Sequence, residues 1–519
     1  MGNHLSLIGG DDDGFDSTDN EMGFNVINFT VNAVDMELRT PARVHPNNLP
    51  VIRKKPNLEK FQGSDMFKEI RALSGSSSSE EQQQHWNLLK ALQQRENGVA
   101  APGSASFSSN QQRYINNMYI PNQKTTRLMS LDSKIFVTKF NRDGSKLMTA
   151  CQDGYVRIYD GLKGTYHLLN RINARDVQYS IIDADFSPNG QHFAYSTWSR
   201  SFFIMPVNGT GDDCQWIDVN DMSSNRVGIF SLRYSPTGDT IIGGSNNASV
   251  IVGDVRTRAT QIVRTHRMPV TDVNAVSFVN DNNPNVIIAG CDDGLLKVYD
   301  LRTSFRSRSL SKSVVSFIGH YDGITYIDSR NDGYYVLSNS KDQSIKIWDM
   351  RQPSNLRHRC SARQQQLETT WDYRWDRVPR EFYNPHKALD GDTSIMTYRG
   401  HRVSKTLLRA KFSPLEQTGQ RYIYTGCATG RIIIYDVLTG KIKEAIEGHR
   451  NVIRDLDWHP VRSEIVSGSW DSHVHLNAFN RNMANNHSNQ SKSRQSSIHD
   501  NNKPLRRSRR LANRNSTPY

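Results

Sequence analysis

One short pattern recurs along the middle of this 519-residue chain and restricts its fold more than any other feature. Residues 153–160, 293–300 and 342–349 each begin with a turn pair, continue as an alternating apolar strand and end on an aromatic residue followed by aspartate. Residues 430–436 follow the same register, and residues 247–254 follow it more weakly. Clean neighbours are about 45 residues apart, which is the period of a four-stranded propeller blade.

Two degenerate copies complete the array. One ends near Met205 and Pro206, and the other covers residues 467–477. Seven copies fit between about residue 129 and residue 479, and a ring of seven blades leaves only short, protected strand edges. The sequence therefore predicts an all-β fold, a seven-bladed β-propeller over residues 121–479, with disordered N- and C-terminal extensions.

Glycine–histidine pairs stand upstream of three copies, at residues 319–320, 400–401 and 448–449. A tryptophan–aspartate pair ends the copy at residues 348–349. With both pairs at these places, the chain resembles the WD-repeat family, whose fold is the propeller that the period predicts.

The resemblance implies a buried hydrogen-bond chain of His, turn Asp, Ser or Thr, and Trp within a blade. Because the His–Asp pairing recurs from blade to blade, we interpret it as structural and not catalytic. The residues given this role are His320, Asp342 and Trp348, with Ser338 or Ser340, in one blade and His449 with Asp471 in another. In the last copy Asn477 and Ala478 replace Trp-Asp, which predicts an incomplete network there.

The two ends of the chain differ from this middle. Hydrophobic residues make up 36% of the sequence, below the roughly 45–50% of a fully globular chain, so part of it is expected to be unfolded. We predict that residues 1–120 are mostly disordered, apart from a short helix near residues 81–96 that packs on its own domain or docks in a partner's groove. The opening residues fit N-myristoylation at Gly2, or match that short pattern by chance.

The C-terminal residues 480–519 are predicted to be a disordered basic tail. From Arg481 onward nine Lys or Arg oppose Asp500, so the tail supplies +8 of the formal net charge of +13. The folded part is nearly balanced, and no specific nucleic-acid binding is expected of it. The basic run predicts that the tail directs nuclear import, with the protein located in nucleus and cytoplasm. The alternative is that the tail only makes the chain more soluble. The basic residues concerned are Lys503, Arg506, Arg507, Arg509 and Arg510.

Several classes of chemistry have no motif in this sequence. There is no phosphate-binding glycine loop, nucleophile elbow or His-Glu-x-x-His pair. The five cysteines include no Cys-x-x-Cys pair, and three of them (Cys151, Cys291 and Cys427) align as small buried strand residues in different blades. No apolar run approaches the roughly 18 residues of a membrane span. We predict a protein that is not an enzyme and has no cofactor, metal or transmembrane segment.

Three consecutive copies end in Asp-x-Arg, which places Arg256, Arg302 and Arg351 at equivalent positions. Each arginine either pairs locally with its own aspartate or presents a guanidinium fork to a docked protein. The Trp-Asp-x-Arg ending is similar to that of WD-repeat substrate receptors of cullin-4 RING ubiquitin ligases, which implies adaptor contact by Arg302 and Arg351. Arg256 is the weaker candidate because Gly253 replaces the aromatic residue.

A long insert, residues 352–396, is predicted to lie between blades 5 and 6. It combines aromatic residues with cations at Trp371, Tyr373, Arg374 and Trp375, which are types enriched in protein interfaces. Loops of this length are usually functional or disordered. The insert either contacts a partner or packs against the blade edge.

The chain also resembles the cullin-4-associated factor 11 family, also called WD repeat protein 23, over about residues 120–479. The resemblance is carried by residues 319–325, 338–342, 371–375 and 398–401. The resemblance implies a non-catalytic receptor that docks the damage-binding adaptor and the cullin-4 ligase core. It also implies a substrate, such as a cap'n'collar stress-response transcription factor, that is ubiquitinated and degraded by the proteasome. The alternative is a nuclear scaffold that organises ribonucleoprotein or chromatin complexes.

Overall fold

The structure is a computed structural model that describes residues 58–75, 92–93, 95–97, 107–219, 227–266, 271–305, 310–358, 371–383 and 388–481. Within these ranges, 28 β-strands form seven four-stranded antiparallel sheets. The predicted seven-bladed β-propeller is therefore confirmed.

The strands are short and follow one another in chain order. They are β1 (Gln123–Ser130), β2 (Ile135–Phe140), β3 (Lys146–Cys151), β4 (Tyr155–Asp160), β5 (Leu168–Asn173), β6 (Asp183–Phe186), β7 (His192–Ser196), β8 (Ser201–Pro206), β9 (Gln215–Asp218), β10 (Ile229–Tyr234), β11 (Thr240–Ser245), β12 (Ser249–Asp254), β13 (Thr260–Arg264), β14 (Val273–Asn280), β15 (Asn283–Cys291), β16 (Leu296–Asp300), β17 (Val315–Phe317), β18 (Ile324–Ser329), β19 (Tyr335–Ser340), β20 (Ser344–Asp349), β21 (Met396–Arg399), β22 (Ala410–Phe412), β23 (Tyr422–Gly426), β24 (Arg431–Asp436), β25 (Ile442–Glu447), β26 (Ile453–Trp458), β27 (Glu464–Ser469) and β28 (His473–Ala478).

The ring is closed by its two chain ends. Blades 1 to 6 each use four consecutive strands, beginning with β2, whereas blade 7 consists of β26, β27 and β28 with β1 as its outer strand. β1 pairs antiparallel with β28, from Gln123 opposite Ala478 to Ser130 opposite His473. The sequence pattern, which begins near residue 129, missed this closing strand.

In six of the seven blades the turn before the third strand contains a residue with positive φ. Gly154, Gly294 and Gly430 have φ of 75–78° there, a conformation that costs glycine little. In blade 5 Gln343 takes its place with φ 66°. Its amide Oε1 accepts from Val403 N at 2.8 Å and its Nε2 donates to Val403 O at 2.9 Å. These bonds tie the turn to the chain that enters blade 6.

The hydrophobic core lies between adjacent sheets. One cluster joins Leu337 and Ile347 of blade 5 to Phe412, Ile423 and Ile433 of blade 6. Each blade therefore buries its apolar residues against both neighbours, as stacked repeats must.

Antiparallel strands give the ring two faces. The innermost strand of each blade begins at what we call the upper face, which also carries the turn after the second strand. The same strand ends at the lower face, which also carries the loop after the third strand of each blade. Arg302, on the short helix α4 (Leu301–Ser304) after β16, and Arg351, after β20, therefore lie on the lower face.

Three helices precede the propeller where the sequence predicted a mostly disordered extension. They are α1 (Leu58–Gln62), α2 (Asp65–Leu73) and α3 (Ser109–Asn116). A further short helix, α5 (Leu415–Thr418), lies in blade 6. Three 3-10 helices cover Gly211–Asp213, Leu356–His358 and Arg380–Tyr383. Phe61, Met66 and Ile70 are fully buried against Tyr335 and Tyr398 of the propeller. Residues 58–73 and 109–116 thus belong to the folded unit, because blades 5 and 6 supply the apolar groove that these helices cannot provide alone.

Most of the predicted helix at residues 81–96 lies outside the described residues, although residues 92, 93, 95 and 96 are helical. Nearly all of the basic tail, from residue 482 onward, also lies outside them, as does Gly2. No helix in the described ranges is long and apolar enough to cross a bilayer.

The insert lies within blade 5 and not between blades 5 and 6. It joins β20 to β21, and β21 is the outer strand of blade 5. The prediction was wrong because the Trp-Asp pair ends the third strand of a blade, so the fourth strand still has to follow.

Candidate protein-binding faces

Blade 5 contains the hydrogen-bond chain expected from its sequence. His320 Nδ1 lies 3.0 Å from Asp342 Oδ2, and His320 Nε2 lies 2.7 Å from Ser338 Oγ. The Trp348 indole donates to the same Ser338 Oγ at 2.8 Å. Burial would raise the pKa of Asp342, but His320 and its hydrogen bonds hold that pKa far below the usual range. All four side chains are buried, which suits a structural role.

Blade 7 completes the same chain with a different donor. His449 Nδ1 lies 3.0 Å from Asp471 Oδ2, and His449 Nε2 lies 2.9 Å from Ser467 Oγ. The Asn477 amide donates to Ser467 Oγ at 3.1 Å and to Ile465 O at 3.0 Å. The prediction of an incomplete network was wrong, because the carboxamide nitrogen reaches the hydroxyl that the indole nitrogen reaches in blade 5.

Replacing Asn477 by alanine is expected to lower the free energy of unfolding by about 1–3 kcal/mol, because two buried acceptors lose their donor. Urea unfolding of the full chain measures this loss. The matched control is Asn282→Ala, whose side chain is exposed and whose effect should stay within about 0.5 kcal/mol. Equal stability of the two variants would contradict the role given to Asn477.

Blade 6 departs from this scheme. His401 Nδ1 lies 3.0 Å from the Tyr435 hydroxyl, and His401 Nε2 lies 2.9 Å from Asn339 Oδ1 of blade 5. Thr429 stands where blades 5 and 7 have the turn aspartate. Burial lowers the pKa of His401 to about 3, so this histidine is neutral at physiological pH.

Blade 4 brings together metal-ligating residue types. His266, Cys291 and Asp293 have ligand atoms within 4.8 Å of one another. However, Lys297 Nζ lies 2.8 Å from His266 Nε2 and 3.9 Å from Asp293 Oδ2, so an ammonium group already occupies the cation position. Burial raises the pKa of Cys291 to about 12. We assign no metal to this group.

The centre of the ring is filled by charged side chains that pair between blades. Arg409 of blade 6 is almost fully buried, with Nη2 2.6 Å from Asp183 Oδ1 of blade 2 and Nη1 2.7 Å from Asp455 Oδ2 of blade 7. Arg233 of blade 3 adds a second contact to Asp183 at 3.3 Å. Burial would raise the pKa of Asp183, but the two arginines lower it to about 2. This network joins four blades through the axis.

These carboxylates also accept backbone bonds from the next blade. Asp183 Oδ2 accepts from Leu232 N at 2.8 Å, and Asp455 Oδ2 accepts from Thr138 N at 2.9 Å. The first bond joins blades 2 and 3, and the second joins blades 7 and 1. The axial charges therefore act as structural links, and no local pattern in the sequence predicts them.

The Asp-x-Arg arginines pair with their own aspartates on the lower face. Arg302 forms a bidentate contact with Asp300, with Nε–Oδ1 2.9 Å and Nη2–Oδ2 2.6 Å, and its side chain is 65% exposed. Arg351 does the same with Asp349 at 2.9 and 2.8 Å. Arg256 is exposed, and its backbone N donates to Asp254 Oδ1 at 2.9 Å. The aspartate thus fixes two guanidinium groups in a defined orientation.

Helix α2 lies beside Arg351. Its Asp65 Oδ2 is 3.3 Å from Arg351 Nη1, and Arg351 Nη2 donates to the Tyr335 hydroxyl at 2.6 Å. Glu69 of the same helix pairs with Arg330 at 2.6 Å. Arg351 is therefore shared between the propeller and α2, whereas Arg302 projects further into solvent.

The lower face also exposes large apolar side chains. Leu162 of blade 1 and Val461 of blade 7 are 68% and 71% exposed, and a bond from Arg462 Nη1 to Leu162 O at 3.0 Å joins their loops. Tyr334 and Leu415 are exposed on blades 5 and 6. Exposed apolar side chains that share a face with oriented arginines are typical of a protein-docking surface.

The insert crosses from the lower face to the upper face. It leaves β20 beside Arg351, yet Tyr373 O accepts from Lys405 N at 2.8 Å, and Lys341 Nζ lies 4.3 Å from the Tyr373 ring centre. Both lysines belong to upper-face loops. Described parts of the insert therefore lie on both faces of the propeller.

The four residues singled out in the insert divide into two pairs. Trp371 packs edge-on against buried Phe382 at 5.1 Å, and Tyr373 is half-buried like it. Arg374 is exposed, held by Asp372 through Nε–Oδ1 2.9 Å and Nη2–Oδ2 2.5 Å, and Trp375 is 54% exposed. The first pair anchors the insert on the blade, and the second remains at the surface.

Closure by β1 and the hydrogen-bond chains of blades 5 and 7 define the chain as a WD-repeat β-propeller. The family model described as WD domain, G-beta repeat matches residues 125–160, 258–300, 311–349 and 440–476. A protein of Caenorhabditis elegans named DDB1- and CUL4-associated factor 11 homolog is 37% identical over 415 residues, which cover 78% of this chain and 70% of that protein. The chain belongs to this family of DDB1- and CUL4-associated factor 11 homologs, which confirms the resemblance found in the sequence.

Two further relatives are similar to this chain. The Caenorhabditis briggsae protein of the same name is 36% identical over 400 residues, covering 74% of this chain and 69% of that protein. The LEC14B protein of Lithospermum erythrorhizon is 34% identical over 400 residues, covering 75% of this chain and 81% of that protein.

Proposed function

We propose that this protein is a non-catalytic substrate receptor of a cullin-4 RING ubiquitin ligase. In this proposal the lower face binds the damage-binding adaptor, and the upper face presents a protein for ubiquitination and proteasomal degradation. The names of the Caenorhabditis relatives, which refer to association with DDB1 and CUL4, support the proposal. The transfer chemistry belongs to the partners, and the receptor contributes proximity.

The observation that carries the proposal is the arrangement of Arg302 and Arg351 on one face. Each guanidinium is oriented by a bidentate aspartate, and arginine forks suit carboxylates and carbonyls of a docked protein. Exposed Leu162 and Val461 add apolar area to the same face.

The upper face supports a role in substrate binding through the insert. Trp375 and Arg374 are exposed there, and these residue types frequently anchor interfaces. A cap'n'collar stress-response transcription factor remains our proposed substrate class, and the basic tail remains the proposed nuclear import signal.

The test is recovery of adaptor and cullin with the affinity-purified full chain. Changing both Arg302 and Arg351 to alanine is expected to reduce recovery by about tenfold or more, the equivalent of about 1.4 kcal/mol. Because Arg351 also contacts Tyr335 and α2, a second variant changes Arg302 alone and should keep the wild-type thermal stability. The matched control is Arg171→Ala, an exposed arginine on the outer strand of blade 1.

Two results would contradict the proposal. One is full recovery of the adaptor with a double variant that is folded by circular dichroism. The other is recovery of nucleic acid without adaptor, falling steeply with salt, which would favour the nuclear scaffold instead.

A further inference from the structure

Blade 6 carries arginine nitrogens that are buried without an acceptor. Arg402 Nε and Arg431 Nη2 have no hydrogen-bond partner in the part of the chain that the structure describes. Arg431 is 5% exposed, and its Nε donates only to the neutral Thr429 hydroxyl, at 3.3 Å. Burying a guanidinium without an anion is unfavourable for the free energy of folding.

The cause is the missing turn aspartate of blade 6. In blade 1 the turn Asp153 accepts two bonds from Arg157, at 3.3 and 2.5 Å. Blade 6 has Thr429 at the equivalent turn, so Arg431 lacks such a carboxylate. The cross-strand neighbour of Arg431 is Glu447, but no ion pair joins these two residues in the described structure. Asp471 of blade 7 is already bound by His449.

The main chains of Arg402 and Arg450 lie beside the same turn. Arg402 N donates to Cys427 Sγ at 3.2 Å, and Cys427 Sγ lies 3.0 Å from Thr429 Oγ1, the acceptor of Arg431. Gly430 has φ 78°, and a Cβ there would lie 2.4 Å from the carbonyl oxygen of His449. The turn therefore packs closely against His449, in the segment that enters blade 7. The residue after His449 is Arg450, whose side chain is exposed.

We propose that Arg402, Arg431 and Arg450 bind a phosphorylated serine or threonine of a protein substrate at the upper face between blades 6 and 7. A phosphoryl group carries nearly two charges and three acceptor oxygens, and it pairs with arginine clusters through charge-assisted bonds. A carboxylate has one charge and two oxygens, so it satisfies three guanidinium groups less well. This inference rests on the proposed function, since it names the substrate chemistry of the upper face.

The experiment uses the full chain and three peptide libraries that differ only at a fixed central position. That position is phosphoserine or phosphothreonine in the first, serine or threonine in the second and glutamate in the third. We expect the phosphorylated library to bind about tenfold more tightly than either of the others. Changing Arg402 and Arg450 to glutamine should abolish this preference, whereas Arg171→Gln should leave it intact.

Arg431→Gln is a second variant, read only if its thermal unfolding matches the wild type. Equal binding of the glutamate and phosphorylated libraries would overturn the proposal in favour of an acidic segment. Unchanged phosphopeptide affinity in the Arg402/Arg450 variant, or no binding of any library, would also overturn it. Adaptor recovery is measured separately, so loss of adaptor binding with intact phosphopeptide binding refutes only the receptor role.

Discussion

Replacing Arg409 by methionine is expected to lower the free energy of unfolding by about 3–5 kcal/mol, the cost of removing one partner from a buried ion pair. Arg409 contacts Asp183 and Asp455 at 2.6 and 2.7 Å, and both carboxylates are buried. Methionine fills much of the same volume but donates no hydrogen bond. Denaturant unfolding at neutral pH measures the loss.

A compensated variant serves as its control. Changing Asp455 to asparagine together with Arg409→Met removes one carboxylate that the single substitution leaves without its arginine. In this variant Asp183 keeps Arg233 at 3.3 Å, and Lys411 keeps Asp457 at 3.0 Å. We expect this double variant to regain part of the lost stability. A single variant that loses less than about 1 kcal/mol would show that the axial network does not hold the ring together.

Asp342→Ala is the second substitution with a large expected effect, about 3–5 kcal/mol at neutral pH. It leaves buried His320 without its carboxylate and removes the acceptor of Ser344 N, at 3.0 Å, and of Tyr321 N, at 3.0 Å. The control is Asp132→Ala, an exposed residue expected to change stability by no more than about 0.5 kcal/mol.

The pH dependence of this effect has a definite sign. The pKa of Asp342 is held far below its usual range in the folded protein, so its contribution is fully present above the unfolded pKa of about 3.9. It is lost as the pH falls below that value. The stability difference between wild type and Asp342→Ala should therefore be constant from pH 7 to about 5 and shrink below about 4. A difference that grows on acidification would contradict the role of Asp342 as the ionised acceptor of this hydrogen-bond chain.

The two faces of the propeller divide the proposed tasks. Arg302 lies on the lower face, and Arg431 lies at the upper face of another blade. Because a ring of packed blades is rigid, a substrate on one face has a defined position relative to an adaptor on the other. This geometry suits a receptor that acts only by positioning.

What the sequence alone determined is the repeated unit and its number. The period, the turn residues and the His320–Asp342–Trp348 pattern are encoded within about 45 residues, and such local patterns can be identified without coordinates. The Arg302 and Arg351 positions follow from the same repeat, since both directly follow a third strand.

Only the tertiary structure decided how distant residues meet. Arg409 and Asp183 are 226 positions apart, β1 completes the blade of β28, and α2 packs on blade 5. None of these partners has a local signal, because each contact forms only when the ring closes. The same holds for Asn477, which works as a donor because blade 7 brings its amide to Ser467, and for Arg431, whose lack of a carboxylate depends on which side chains fold around it.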